Sequence, residues 1–188
     1  MVLPRSLWIS LIALAGPVRA DFDAAAYPPY ERCALCHGLF GQSHNAKFPH
    51  LAGQKTLYLE AQLQAFLSES RTNDGGQMSA IVTELKPEEL PAVVEWFSTQ
   101  EPPSPGNVPQ DTVGQDLVAE LGCLDCHTAD AELVPYLTAQ HAGYLEKQMT
   151  DFVNGARQGM SVHKELLGPV ASDIQAIASY LSSKERTK

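Results

Sequence analysis

An all-α protein made of two tandem helical domains is what this 188-residue sequence predicts. Three observations carry that reading. A five-residue motif occurs twice, a longer repeat surrounds it, and apolar residues recur at helical intervals in both copies. The motif is Cys33-Ala-Leu-Cys36-His37 and again Cys123-Leu-Asp-Cys126-His127, and it uses all four cysteines of the chain.

Taken in order, residues 1–20 read as a signal peptide. Arg5 is a short basic start, Leu7–Leu14 is an apolar stretch, and Val18-Arg19-Ala20 offers small residues at the cleavage positions. The stretch is too short to span a bilayer; an uncleaved N-terminal anchor is the alternative. The first domain then covers 21–100 and the second 111–188. Residues 101–110 form a linker too rich in proline for a helix or a central strand.

In the first domain Pro28-Pro29 leaves room for only a turn or a broken helix before the motif. Leu59, Leu63, Phe66 and Leu67 form one apolar stripe of a helix. Leu90, Val93, Val94 and Phe97 form another, with Pro91 tolerable only if the helix begins near Pro87 or bends. The second domain opens with a helix over 112–122, with Asp111 as its N-cap. It closes with Ile174, Ile177, Ala178 and Leu181 in helical register, with Ser172 as N-cap. The repeat aligns Leu51–Phe66 with Leu137–Phe152, sharing Leu, Gln, Tyr, Leu, Glu, Gln and Phe. Pro49-His50-Leu51 matches Pro135-Tyr136-Leu137. Arg71 falls on Arg157, and Met78-Ser79 on Met160-Ser161 after a four-residue gap.

Cys-x-x-Cys-His is the pattern of covalent c-type haem attachment. Two thiols add across the two vinyl groups of the porphyrin, and the histidine that follows lies under the iron as the proximal ligand. Other uses of these residues fit less well. A thioredoxin-type pair needs a βαβ context, and no strand pattern flanks either motif. One shared zinc site leaves a surplus ligand and spans too wide a gap. A disulfide framework has no need of the histidine in both copies. The expected cofactors are therefore two covalently bound haem c groups, held by Cys33, Cys36, Cys123 and Cys126, with His37 and His127 on the irons. A domain this small buries little core alone; the haem becomes the centre of the core, and the apoprotein is not expected to fold fully.

Met78 and Met160 stand at matching places in the repeat and are the expected distal ligands. Met149 aligns with Leu63 and reads as core. Gly75-Gly76 and Gly159 let backbone pass close to a flat ring. His44, His50, His141 and His163 compete for the distal positions, but none has a histidine partner in the other copy. They read mainly as solvated surface residues, His163 being the one nearest Met160 in sequence. His/Met ligation closes the iron to substrate and raises its reduction potential. The carbonyls of Pro49 and Pro135 are placed either to accept the proximal imidazole N–H or merely to shape a loop. Arg71 and Arg157 either pair with haem propionates or lie in solvent.

Removing the signal peptide takes away Arg5 and Arg19, leaving 11 basic against 22 acidic side chains, a net charge of −11. That argues against nucleic acid and against anionic lipid as partners.

The residues CALCHG (33–38) and CLDCH (123–127), the stretch at 49–54, the YLEAQL and YLEKQM helices and the two methionines resemble the tandem dihaem class I cytochromes c of the "c-four" type. The resemblance implies two cytochrome c domains, each wrapped around a covalent haem, packed through a pseudo-twofold contact with their propionate edges facing. It implies a periplasmic electron carrier, not an enzyme, working between a membrane electron donor and a terminal oxidase of a respiratory chain. Peripheral association with the membrane is implied too. The chain departs from the pattern in its proline-broken first helix and in Thr138-Ala139, which stand where Ala52-Gly53 stand in the first copy. A haem subunit of a dehydrogenase, such as a flavocytochrome c sulfide dehydrogenase, is the alternative function. A dihaem peroxidase is a third, and needs an open iron. With no surplus apolar face visible in the helix stripes, a monomer is expected.

Overall fold

The computed structural model describes residues 27–108, 111–159 and 161–186. The signal-peptide segment and Met160 lie outside them. Among the described residues every regular element is helical. The first half holds α1 (Glu31–His37), α2 (Thr56–Leu67), α3 (Gln77–Val82) and α4 (Leu90–Ser98). The second holds α5 (Thr112–Glu120), α6 (Cys123–Cys126), α7 (Ala142–Asn154), α8 (Ser161–Leu167) and α9 (Ile174–Ser182).

Each half has its own apolar cluster. In the first, the whole predicted stripe of α4 is buried together with Leu59 of α2 and Leu85. In the second, Val118 of α5, Leu145 of α7, Leu167 of α8 and the apolar face of α9 come together, with Met149 packed against them as expected. A 3-10 turn over Pro87–Glu89 runs straight into α4. Pro91 therefore sits in the first turn, where its missing N–H has no helical partner to lose.

The helix ahead of the second motif forms, capped by Asp111, whose carboxylate accepts from the Gly114 N–H at 3.1 Å. It ends sooner than 122 because Gly122 turns left-handed (φ +63°). At Gly114 it crosses α9 so closely that a Cβ there would lie 2.1 Å from the Ala176 carbonyl oxygen. In the first half Pro28 and Pro29 lead into a turn and α1 begins only at Glu31. There Tyr30 stacks on Trp96 of α4, with ring centroids 4.1 Å apart and planes 5° from parallel. An aromatic pair thus anchors the start of α1 where the other half uses a helix crossing. Ser172 does not cap α9: a 3-10 stretch, Gly168–Asp173, feeds the helix, and the Ser172 hydroxyl lies 2.9 Å from the Asp173 carboxylate.

The halves meet along a seam built from the repeat itself. The buried Gln54 amide donates to the Tyr136 carbonyl (3.1 Å) and accepts from the Tyr136 N–H (3.0 Å). Its repeat partner, the buried Gln140, donates to the His50 carbonyl (3.0 Å) and accepts from the His50 N–H (2.8 Å). Since His50 and Tyr136 are also repeat partners, each half grips the same piece of main chain in the other. The departure at 138–139 leaves this geometry intact. Gly53 (φ +61°) and Ala139 (φ +55°) share a left-handed turn, donating to the Phe97 carbonyl (2.9 Å) and the Leu181 carbonyl (3.2 Å) respectively. Alanine holds that conformation at a cost of about 1 kcal/mol.

Two candidate haem sites

In the first site α1 carries Cys33, Cys36 and His37. Cys33 packs on the apolar cluster while Leu35, between the cysteines, is 94 % exposed. Gly38 (φ +76°) ends the helix, and a Cβ there would meet the Gln42 carbonyl oxygen at 2.4 Å. That tight turn lets the chain come back so that the His37 Nδ1–H donates to the Pro49 carbonyl at 2.9 Å. A carbonyl only accepts, so the proton is on Nδ1 and the lone pair is on Nε2. His37 is buried, and its Nε2 has no hydrogen-bond partner. A buried acceptor left unpaired is costly; a bond to iron removes that cost. Burial also holds the His37 pKa below its ordinary value, which keeps the ring neutral, as a metal ligand must be.

The second site repeats the plan. Cys123 and Cys126 bound α6, with Cys123 against the second cluster. His127 follows at the helix end, and its Nδ1–H donates to the Pro135 carbonyl at 2.7 Å. Burial pushes its pKa down to about 4. Both prolines therefore do more than shape a loop. The thiols fit attachment rather than redox exchange: burial pushes the Cys33 thiol up to about 11 and raises Cys123 as well. A reactive Cys-x-x-Cys pair has its thiol lowered instead.

On the distal side the two copies differ. Met78 is the second residue of α3, half-buried. The Asp74 carboxylate accepts from the Gly76 N–H (3.1 Å) and from the Met78 N–H. The left-handed Gly75 (φ +72°) and Gly76 (φ +82°) complete that loop. The second copy lacks four residues of it and has no acidic residue between Arg157 and Met160. At Gly159 a Cβ would lie 2.5 Å from the Phe152 ring. His163 of α8 stacks on Phe152, centroids 4.6 Å apart at 15°, and its ring centroid is 6.1 Å from that of His127.

The remaining histidines are not all solvated. His44 is exposed. His50 and His141 stack on each other across the seam at 3.9 Å, and the His141 Nε2–H donates to the Ser43 carbonyl (2.9 Å). Lys55, the repeat partner of His141, reaches the other way, donating to the Thr128 carbonyl and to the Ala131 carbonyl (2.8 Å) just past His127. Each half so holds the loop that follows the other's proximal histidine.

The two arginines are also at the seam rather than in solvent. Arg71 donates to Gln62 (2.7 Å) and Gln148 (3.1 Å). Arg157 donates to Gln148 (2.7 Å) and Gln62 (3.2 Å). Each guanidinium lies over the phenylalanine of its own half, Arg71 at 4.6 Å from Phe66 and Arg157 at 4.7 Å from Phe152. Sequence reasoning did not single out these glutamines, Gln54, Gln140 or Asp74. The signal for the glutamines was present in their recurrence at matched positions; Asp74 has no counterpart to reveal it.

A cytochrome c family model matches residues 25–101. Cytochrome c4 of Pseudomonas aeruginosa is 31 % identical to this chain over 94 % of it and 98 % of the relative. The thiosulfate dehydrogenase electron acceptor of Thiomonas intermedia is 29 % identical over 86 % of this chain and 82 % of that protein. Among solved structures, cytochrome c4 of Acidithiobacillus ferrooxidans superposes with a TM-score of 0.71 at 28 % identity, covering 82 % of this chain and 99 % of the other.

Proposed function

Because this chain belongs to the cytochrome c4 family, we propose that it carries electrons through the periplasm, from a membrane donor toward a terminal oxidase of a respiratory chain. The family makes it an electron-transfer protein of two cytochrome c domains with two covalently bound haem c groups. Each haem, when bound, supplies one-electron iron chemistry. The observation that supports the reading most is the doubled proximal arrangement: an imidazole whose Nδ1–H is donated to a proline carbonyl at both sites. Such a bond fixes the ring and raises its strength as a ligand. Cys33, Cys36, Cys123 and Cys126 anchor the haems, His37 and His127 are proximal, and Met78 is distal at the first iron. At the second iron the repeat nominates Met160 as the distal ligand.

The signal-peptide pattern supports export, and no helix among the described residues is long and apolar enough to cross a membrane. The acidic surface suits a partner with a basic contact face. The likeness to a thiosulfate dehydrogenase electron acceptor favours a second reading, in which a dehydrogenase rather than a membrane complex is the donor. The test is oxidation of the pre-reduced protein by its native membranes across a salt series. Fast oxidation that weakens as salt rises is expected. No oxidation by membranes, with persistent co-elution with a dehydrogenase at high salt, overturns the proposal in favour of the second reading.

A further inference from the structure

Resting on the dihaem reading, we infer that Arg186 is a positioning residue shared by both haem sites: one buried cation that ties the two proximal loops together and favours the reduced form of both irons. Three observations carry this. The first is where the side chain lies. The chain leaving α9 enters the seam, and the Arg186 fork donates to the Ala52 carbonyl of the first half (2.6 Å) and to the Thr138 carbonyl of the second (3.4 Å). Ala52 and Thr138 are repeat partners. Each stands three residues after the proline whose carbonyl holds a proximal imidazole, Pro49 for His37 and Pro135 for His127. One guanidinium thus touches the same turn behind both sites. It also lies over the Tyr136 ring, 5.5 Å from the centroid.

The second is its charge. Arg186 is 7 % exposed, and among the described residues no carboxylate lies within ion-pair distance of it. Lys55, also buried in the seam, has Asp130 and Glu132 close enough to act on it. Arg186 has carbonyl dipoles and the Tyr136 side chain instead. Burial pulls its pKa down to about 10, which leaves it charged at neutral pH. A buried charge without a counter-ion is costly, and packing alone would favour an apolar side chain in its place.

The third is the break in the repeat. The register of α4 on α9 puts Pro102 opposite Arg186. Pro102 has no side-chain donor and lies against Gly53, where a Cβ would be 3.0 Å from its ring. The glutamine grips are reciprocal, but this contact cannot be, because two guanidinium groups at one point between the halves would repel each other. The consequence is a charge that acts on both sites at once. Reducing Fe(III) to Fe(II) adds one electron, so a buried cation that solvent screens little favours the reduced form. Arg186 therefore raises both potentials together and leaves their difference to the residues around each haem. Its field also reaches His50, next to Pro49: burial, then His141, then Arg186 hold that imidazole down to about 4.

The test is redox titration of the haem-loaded protein, with intact mass and limited proteolysis of the 101–110 linker alongside. Arg186→Met removes both the charge and the fork; Arg186→Lys keeps the charge and loses the fork. Both variants are expected to hold two haems, since neither touches an anchoring cysteine, and to be cleaved faster at the linker. In Arg186→Met both redox waves move to lower potential, at low and at high salt alike. In Arg186→Lys both stay near the values of the unsubstituted protein. Should Arg186→Met fail to load two haems, Arg186→Gln takes its place with the same outcomes. Unmoved waves, a shift confined to one wave or lost at high salt, an equal shift in Arg186→Lys, or unchanged linker cleavage overturns the inference while leaving the dihaem carrier standing. Fewer than two haems by mass in the unsubstituted protein overturns the dihaem reading and the inference with it.

Discussion

Removing one amide from the seam should weaken the whole contact between the halves by a predictable amount. Gln54 is buried, and its side chain makes three hydrogen bonds: two with the Tyr136 main chain (3.1 and 3.0 Å) and one from the Lys55 N–H (3.0 Å). Each such bond is worth about 1 kcal/mol net, and buried groups stripped of a partner cost about 1–3 kcal/mol. Gln54→Ala therefore costs about 2–4 kcal/mol, allowing for water to reach some of the orphaned groups. Gln140 makes the same three bonds, with the His50 main chain and from the His141 N–H. Gln140→Ala should cost about the same. The assay is guanidinium unfolding of the haem-loaded protein, with limited proteolysis of the 101–110 linker as a second readout. Gly106 of that linker is tied to the Ser182 carbonyl at 2.8 Å, so opening the seam should speed cleavage in both variants. A cost below about 0.5 kcal/mol for either one, a several-fold difference between them, or unchanged cleavage would refute the reasoning.

Other outcomes follow from particular residues. Gly114→Ala should destabilise the fold by about 1–3 kcal/mol and so lower Tm, despite alanine's better helix propensity, because its Cβ would meet main chain of α9 at 2.1 Å; an unchanged or raised Tm in a thermal melt would contradict the close crossing. His50 has its pKa pushed from 6.5 down to about 4, by burial first and by His141 second. The unfolded chain thus takes up that proton at higher pH than the folded one, so stability declines as pH falls from about 6.5 to about 4. Tm followed across that window should show a flatter acid limb in His50→Gln; an identical limb removes His50 from the account.

Much of this was legible in the chain, and the reasons are physical. The attachment motif is dictated by covalent chemistry, so spacing alone reveals it. The α4 and α9 stripes were readable because one face of each packs on a core, and every residue named in them is buried. Asp111 was readable as a cap because its contact is local. Ser172 was misread because the 3-10 turn ahead of α9 moves the start of the helix by one residue, a matter of tertiary packing. His50 and His141 read as surface because their partner is ninety-odd positions away. The solvated alternative for Arg71 and Arg157 failed for the same reason: their glutamines lie partly in the other half. Long-range pairing leaves no mark on local periodicity.

At Gln54 and Gln140 the seam holds main chain rather than side chains, and there each half offers the same grip that it receives. A surface of that kind needs only one sequence to be complete: a half carrying the glutamine and the gripped loop segment would dock on a copy of itself about a twofold axis. The gripped position carries His50 in one half and Tyr136 in the other, because the glutamine uses only its N–H and carbonyl. What the linker adds is proximity. It turns an encounter between two molecules into a closure within one, at an effective concentration set by its length, so the pairing of the two irons does not depend on how much protein the cell makes.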